Sequence, residues 1–313
     1  MNKQAKDPGL GQRFDQSFSR SINKDGSFNV KRVGFGYSFK NTYQTLIKIS
    51  WIKFLCLILL FIITLNLLFT CIYFLIGIDQ ISGLNGLDGL SEFLQVYYFS
   101  FQTFTTVGYG SISPSGNLSG FIASIEAMVG LISFAIVTGL LYGRFSRPTA
   151  RFHYTKKAII APYKAGWSFQ FRIANRRQSQ LIELEAKLML VFSETTNNKK
   201  QRKFFNLNLE LNKLSFLPLN WTLVHPIDED SPLFNKTPEE LQKSDLEFLI
   251  LIKGFDDTFS QVVHSRHSYI FDEIIWGAKF VRPFYSDEDG TTILDASLLD
   301  KYDKVSFDKL NKD

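Results

Sequence analysis

Between Phe54 and Gly143 the chain carries no lysine or arginine, and its only charges there are Asp79, Asp88, Glu92 and Glu126. Two long apolar runs fill most of that interval. The first, Phe54 to Ile78, spans 25 residues and is broken by little more than Thr64, Asn66 and Thr70. The second goes from about Leu118 to Tyr142, with Glu126 its one charge. Roughly 20 apolar residues suffice for a helix to cross the hydrocarbon core, so each run predicts a membrane span. The first run begins too late and is too long for the apolar region of a signal peptide. Lys31, Arg32, Lys40, Lys48 and Lys53 lead into the first run, and Arg144, Arg147, Arg151, Lys156 and Lys157 follow the second. Basic flanks stay on the cytoplasmic side. This predicts a multi-pass protein of the cell inner (plasma) membrane, with both termini cytoplasmic and the intervening segment facing out.

The net charge of +5 is unevenly spread: the first 53 residues hold ten basic and three acidic residues. The excess lies where anionic lipid would attract it. No basic stripe interleaves with aromatic residues, so a nucleic-acid partner is not expected. Cys56 and Cys71, the two cysteines, both fall in the first span and read as small apolar residues. His153, His225, His264 and His267 show no metal-ligand spacing. His264 and His267 fall in a strand-like run, which predicts side chains on opposite faces. Asp228, Glu229 and Asp230 read as a solvated acidic turn rather than a metal site. With no nucleophile–base pair and no phosphate loop, an enzyme is not expected, and neither is a cofactor.

Between the spans stands Thr105-Thr106-Val107-Gly108-Tyr109-Gly110. Successive backbone carbonyls can replace an ion's water shell only if alternate residues adopt dihedrals that side chains penalise, which calls for Gly108 and Gly110. Thr106 can add its hydroxyl, while Val107 and Tyr109 point away and brace the strand. The stretch resembles the potassium-channel signature filter, with permeant K+ held at Thr106, Val107, Gly108 and Tyr109. Ser91 to Phe104 reads as a re-entrant pore helix, Ser91 its N-cap and Glu92 at its positive end, preceded by an exposed turret from Asp79 to Leu90. One chain supplies one strand of carbonyls, so a ring around the ion predicts a homotetramer.

The remainder narrows the family. Gly143-Arg144-Phe145-Ser146-Arg147-Pro148, Ile173-Ala174-Asn175-Arg176-Arg177, His225-Pro226-Ile227-Asp228-Glu229-Asp230-Ser231-Pro232-Leu233-Phe234 and Asp272-Glu273-Ile274-Ile275-Trp276-Gly277 occur in that order. Together they resemble the inwardly rectifying potassium channel family, most of all its prokaryotic branch, from about Arg32 to about Tyr302. Independently, short alternating or apolar runs (Trp167 to Ile173, Leu184 to Phe192, Phe204 to Leu211, Leu246 to Ile252, Phe259 to Val263) predict a β-sandwich.

The expected fold class is therefore an α-helical two-span membrane pore domain with a re-entrant pore helix, followed by an all-β immunoglobulin-like cytoplasmic sandwich domain. Residues 1–38 form a largely flexible N-terminal segment, with poor order expected over 1–30. Residues 39–51 read as an interfacial helix, since Phe39, Tyr43, Leu46, Ile47 and Ser50 recur at helical spacing, and the resemblance implies that it is the family's slide helix; the alternative is the first turns of the span. The pore domain covers 52–147 and the sandwich 148–313.

What the resemblance implies for function is passive K+ conduction. Voltage-gated behaviour is expected of the class. Leu131, Phe134, Thr138 and Tyr142 share a face of the second span and would line the cavity, with Tyr142 as gate or, alternatively, as a headgroup-level anchor. Gly130 and Gly139 are candidate hinges. Two departures stand out. Strongly rectifying members hold an acidic residue at the position of Phe134, so weak rectification is expected. Members also carry a pore-helix glutamate, paired with a basic residue, where this chain has Gln102, and Ser111 to Asn117 holds no Lys or Arg. Arg144, Arg147, Arg151, Lys156 and Lys157 imply regulation by anionic or phosphoinositide headgroups, or else ordinary positive-inside anchoring. A non-conducting membrane sensor, or a two-span channel gated by a ligand of the β domain, are the competing readings.

Overall fold

The computed structural model describes residues 4–11, 20–31, 33–34, 40–85, 89–146, 151–164, 166–177, 179–196 and 199–306. The chain divides into two compact units, one made of residues 34–147 and the other of residues 1–33 together with 148–313.

The first unit is helical. Helix α1 (Lys40–Lys48) is followed by α2 (Trp51–Ile76), with Ser50 extended at φ −60° and ψ 154° between them. That break separates α1 from the span, against the alternative that it merely begins α2. Pore helix α3 (Gly89–Phe104) and α4 (Asn117–Phe145) complete the unit. Among the described residues, α2 and α4 are the helices long and apolar enough to cross a membrane. Ser91 is not the N-cap expected from sequence. The helix already includes Gly89 and Leu90, and Ser91 Oγ accepts a long contact from Gln95 Nε2 one turn on.

The turret is also less open than its polar composition predicts. Ile81–Ser82 pairs antiparallel with Ser113–Pro114, and Ile81 packs with Phe69, Tyr73, Val96 and Phe99. Ser119, in the first turn of α4, reaches Gln80 O at 2.8 Å and accepts Gly116 N–H at 3.1 Å. The loops on either side of α3 are thereby tied together.

The second unit is a sandwich of two sheets. In the first, strands run in the order Gln4–Ala5, Lys199–Leu207, Leu181–Thr196, Glu247–Asp256, Gln261–Ile270, all antiparallel, with Lys213–Phe216 also paired to Leu181–Thr196. In the second the order is Asn220–Ile227, Gly166–Asn175, Ala158–Tyr163, Ile274–Trp276. Alternation at period two puts Phe169, Phe171 and Ile173 inward from one sheet and Phe248, Ile250 and Ile252 inward from the other. Phe169 stacks on Phe248 with centroids 3.8 Å apart, joining the layers. A short helix, α5 (Pro238–Gln242), capped by Thr237, is the departure from an all-β reading.

His264 and His267 do face opposite ways in their strand, His264 exposed and His267 buried. The acidic turn is built from within. His225 Nδ1 lies 2.7 Å from Asn208 O and Nε2 lies 2.8 Å from Ser231 Oγ, while Asp228 O accepts Ser231 N–H. Among the described residues no cluster of potential metal ligands occurs.

Poor order over residues 1–30 is corrected for the stretches described. Ser21 N–H points between both carboxylate oxygens of buried Glu247, at 2.9 Å from each, and Ile22 N–H reaches one of them. Arg20 bonds Ser268 and Glu273, Lys24 pairs with Glu273 at 2.9 Å, and Ile22 packs on Val191, Phe204 and Leu249. Backbone donors from the arm meet a carboxylate that burial would otherwise leave unsatisfied. Composition alone does not show such a partner.

His267 stacks on Tyr154 at 4.4 Å beside this arm. Burial, with the Arg20 and Lys24 charges against the opposing Glu273, pushes its pKa down to about 4. Burial also lowers that of His225. The fold favours the neutral ring at both positions, whereas the unfolded chain takes up protons near 6.5. Stability is therefore full above about pH 6.5 and is lost as pH falls towards the folded values. Thermal melts of the full-length protein are expected to drop by about 4 °C or more between pH 7 and pH 5. His267→Gln should flatten that slope; an unchanged slope would remove His267 as its source.

Candidate functional site: the filter and its supports

Phe104 ends α3, and the backbone then turns on the helix's own last carbonyls. Thr105 N–H bonds Phe101 O at 3.0 Å and Thr106 N–H bonds Thr103 O at 3.1 Å. Gln102 O accepts both Val107 N–H at 2.9 Å and Gly108 N–H at 3.3 Å. Gln102, singled out in the sequence for the carboxylate it lacks, thus anchors the segment after α3 through its main chain.

Positive φ recurs at every second residue: Thr106 at 58°, Gly108 at 54° and Gly110 at 82°. Val107 and Tyr109 keep negative φ. This alternation lets consecutive peptide oxygens face one side, where ordinary extended chain would send them to two. Within the chain a Cβ at Gly108 or Gly110 would meet nothing within 4 Å, so there it is the positive φ that calls for glycine. Thr106 adopts the left-handed region despite its branched side chain, at a cost of about 1–2 kcal/mol. The glycine pattern does not reveal that third position. Thr105 Oγ1 donates to Phe101 O at 2.7 Å, which commits it to the pore helix. Val107 and Tyr109 are 53% and 78% exposed, so the bracing expected of them does not come from their own chain.

Along α4, Leu131, Phe134, Thr138 and Tyr142 all lie exposed on the helix. Thr138 Oγ1 donates back to Phe134 O at 2.8 Å. The helix is continuous through both expected hinges. At Gly130 a Cβ would sit 1.9 Å from Phe104 O, whereas at Gly139 it would meet nothing within 4 Å. Gly130 is the place where α4 touches the end of the pore helix.

The five basic residues are divided between the two units. Arg147 lies outside the described residues, Arg151, Lys156 and Lys157 are exposed in the sandwich unit, and Arg144 belongs to the helical unit. Arg144 is already engaged there: its guanidinium donates to Leu46 O and, at 2.7 Å, to Ile49 O, and lies 4.7 Å and 4.4 Å from the Trp51 and Phe54 ring centroids. It joins the end of α1 to the end of α4.

A further group was not recognised as a support from sequence. Glu126, fully buried, accepts Tyr73 O–H at 2.7 Å on one oxygen and Ser100 O–H on the other. The three residues come from α4, α2 and α3.

Voltage-gated behaviour finds no support here. Among the described residues of the spanning helices, the basic side chains are Lys53 near the start of α2 and Arg144 near the end of α4, with no charged row for a field to move.

Comparison with known proteins agrees with the geometry. Residues 57–147 match the ion channel family, and residues 152–312 match the inward rectifier potassium channel C-terminal domain. The chain is 37% identical over 280 residues to the inward rectifier potassium channel Kirbac3.1 of Paramagnetospirillum magnetotacticum, covering 88% of this chain and 93% of that one. It is 24% identical to ATP-sensitive inward rectifier potassium channel 12 of Gallus gallus, over 84% of this chain and 66% of the relative. Against ATP-sensitive inward rectifier potassium channel 11 of Oryctolagus cuniculus the identity is 25%, over 89% and 77%. The protein is accordingly a membrane-embedded potassium channel and not an enzyme, and the chain belongs to the inward rectifier potassium channel family.

Proposed function

We propose that the chain conducts K+ passively as a homotetramer, with the peptide oxygens of Thr106, Val107, Gly108 and Tyr109 as ion ligands. The carrying observation is the alternation of backbone handedness from Thr106 to Gly110. Four such strands around an axis give stacked rings of oxygen that substitute for hydration. The pore-helix C-terminus adds a partial negative charge at the filter's inner end. Exposed Val107 and Tyr109, and an α4 face on which Leu131, Phe134 and Tyr142 are 64–73% exposed, are the surfaces that neighbouring copies and the cavity would take up. Both termini are read as cytoplasmic, which the basic flanks of the two spans support. The sandwich is read as immunoglobulin-like.

Rectification is weak, because Phe134 offers a blocking polyamine no countercharge. Tyr142 closes the inner mouth by excluding water. Anionic headgroups act through Arg147, Arg151, Lys156 and Lys157; Arg144 is left out because its guanidinium is held against the ends of α1 and α2 by bonds to Leu46 O and Ile49 O. The test is cation flux from purified protein in liposomes. Barium-sensitive K+ flux should exceed Na+ flux by at least about a hundredfold, respond to anionic lipid, and withstand micromolar spermine. Tyr142→Ala should raise the closed-state leak. Equal K+ and Na+ flux would defeat the channel assignment, and an unchanged leak the gate.

A further inference from the structure

Glu126 is a carboxylate that the helical unit buries with no countercharge to explain it. Glu126 is 0% exposed in the first third of α4. No lysine or arginine occurs anywhere from 54 to 143, so its own pore segment offers it no cation. Buried carboxyl groups are costly unless their oxygens are satisfied. Here two hydroxyls do that: Tyr73 of α2 donates to one oxygen at 2.7 Å and Ser100 of α3 to the other. Ser100 Oγ also lies 3.2 Å from Asn66 O of α2. Asn66 is buried, and its side chain donates to Ile62 O at 2.8 Å. The result is a polar knot in apolar surroundings that gathers three helices around the middle of the pore helix.

Ser100 lies two residues before Gln102, whose carbonyl receives the amides of Val107 and Gly108. Whatever fixes the depth and rotation of α3 at Ser100 fixes where Gln102 O presents itself to the filter. We infer that Glu126 is a positioning residue for potassium selectivity: the inner-helix carboxylate locks the pore helix and supplies, from the opposite side, the brace that a carboxylate at position 102 would give. Apolar packing from Phe99 and Phe104 holds the helix against its neighbours but is non-directional and sets no preferred hydrogen-bond geometry. Two directional hydrogen bonds to one carboxylate, from Tyr73 of α2 and Ser100 of α3, fix the register of α3 against α2 and α4.

This rests on the filter assignment above, and the experiment separates the two. Wild-type, Glu126→Gln, Tyr73→Phe and Ser100→Ala channels are reconstituted in liposomes, and the K+/Na+ flux ratio and barium sensitivity are measured alongside the oligomeric state. Glu126→Gln keeps the shape but loses one acceptor, so its ratio should fall about tenfold. Tyr73→Phe and Ser100→Ala should each lower it by about threefold. Tyr73→Phe combined with Glu126→Gln should be no worse than Glu126→Gln alone, because both break one network. Intact tetramers of Glu126→Gln with wild-type selectivity and barium block would overturn the inference, and so would independent losses in the double variant. If Glu126→Gln does not assemble, Tyr73→Phe decides: reduced selectivity supports the role and an unchanged ratio refutes it. A wild type that passes sodium freely would instead overturn the filter assignment itself.

Discussion

Gly130→Ala is expected to abolish selective potassium flux, while Gly139→Ala leaves it near wild type. At Gly130 an added methyl would stand 1.9 Å from Phe104 O, 2.8 Å from its carbonyl carbon and 3.2 Å from its Cα. Ordinary non-bonded contact needs about 3.5 Å, so α4 or the end of α3 must move by more than about 1 Å. The obstacle is backbone and not a side chain that can swing aside. Phe104 immediately precedes Thr105 and the left-handed Thr106, so any retreat of α3 is passed straight into the filter. Overpacking of this kind costs about 1–3 kcal/mol, and a conformation as narrowly held as the filter's has little reserve. At Gly139 nothing lies within 4 Å of the added carbon inside the chain. Flux assays with chromatography of the assembled channel distinguish the outcomes. Normal selective flux in Gly130→Ala would mean that the crossing yields. A loss confined to Gly139→Ala would return the hinge role to the later glycine.

The contrast between these glycines marks the boundary of what the sequence discloses. Both interrupt an apolar run in the same way, and nothing in the spacing says that only one meets another backbone. Features set by local pattern are legible: the spans, the pore helix to within two residues, the need for glycine at Gly108 and Gly110, and the alternating inward residues of the sandwich. Features set by contact between distant segments are not. Glu126 reads as an odd charge in a span until Tyr73 and Ser100 converge on it from 53 and 26 residues away. Arg144 reads as one of five basic residues after a span until the end of α1 is seen against it. The arm reads as polar and unstructured until Glu247 supplies its acceptor. In each case the deciding partner is far along the chain, and a single sequence carries no signal that pairs them.

Arg144→Ala is expected to loosen α1 from α4, and Arg144→Lys should not restore the link. The last carbonyls of α1 have no partners within their own helix, and the guanidinium fork of Arg144 supplies donors at Leu46 O and Ile49 O. The same group lies between Trp51 and the fully buried Phe54, where a planar cation gains from both ring faces. Hydrogen bonds to a charged donor contribute about 1.5 kcal/mol or more each, so the pair is worth about 3 kcal/mol. Amide exchange in α1, including Ile49 N–H that bonds Thr45 O, should therefore quicken by about a hundredfold. A lysine ammonium is compact and cannot reach both carbonyls while lying flat between two rings. Unchanged exchange in Arg144→Ala would show that α1 is held by packing alone, through contacts such as that of Tyr43 beside Gly143. The consequence reaches the lipid question: an Arg144 variant breaks the joint between helices, so a changed lipid response in it does not by itself report a headgroup contact. Arg151, Lys156 and Lys157 are exposed and are the positions where charge removal tests lipid binding directly.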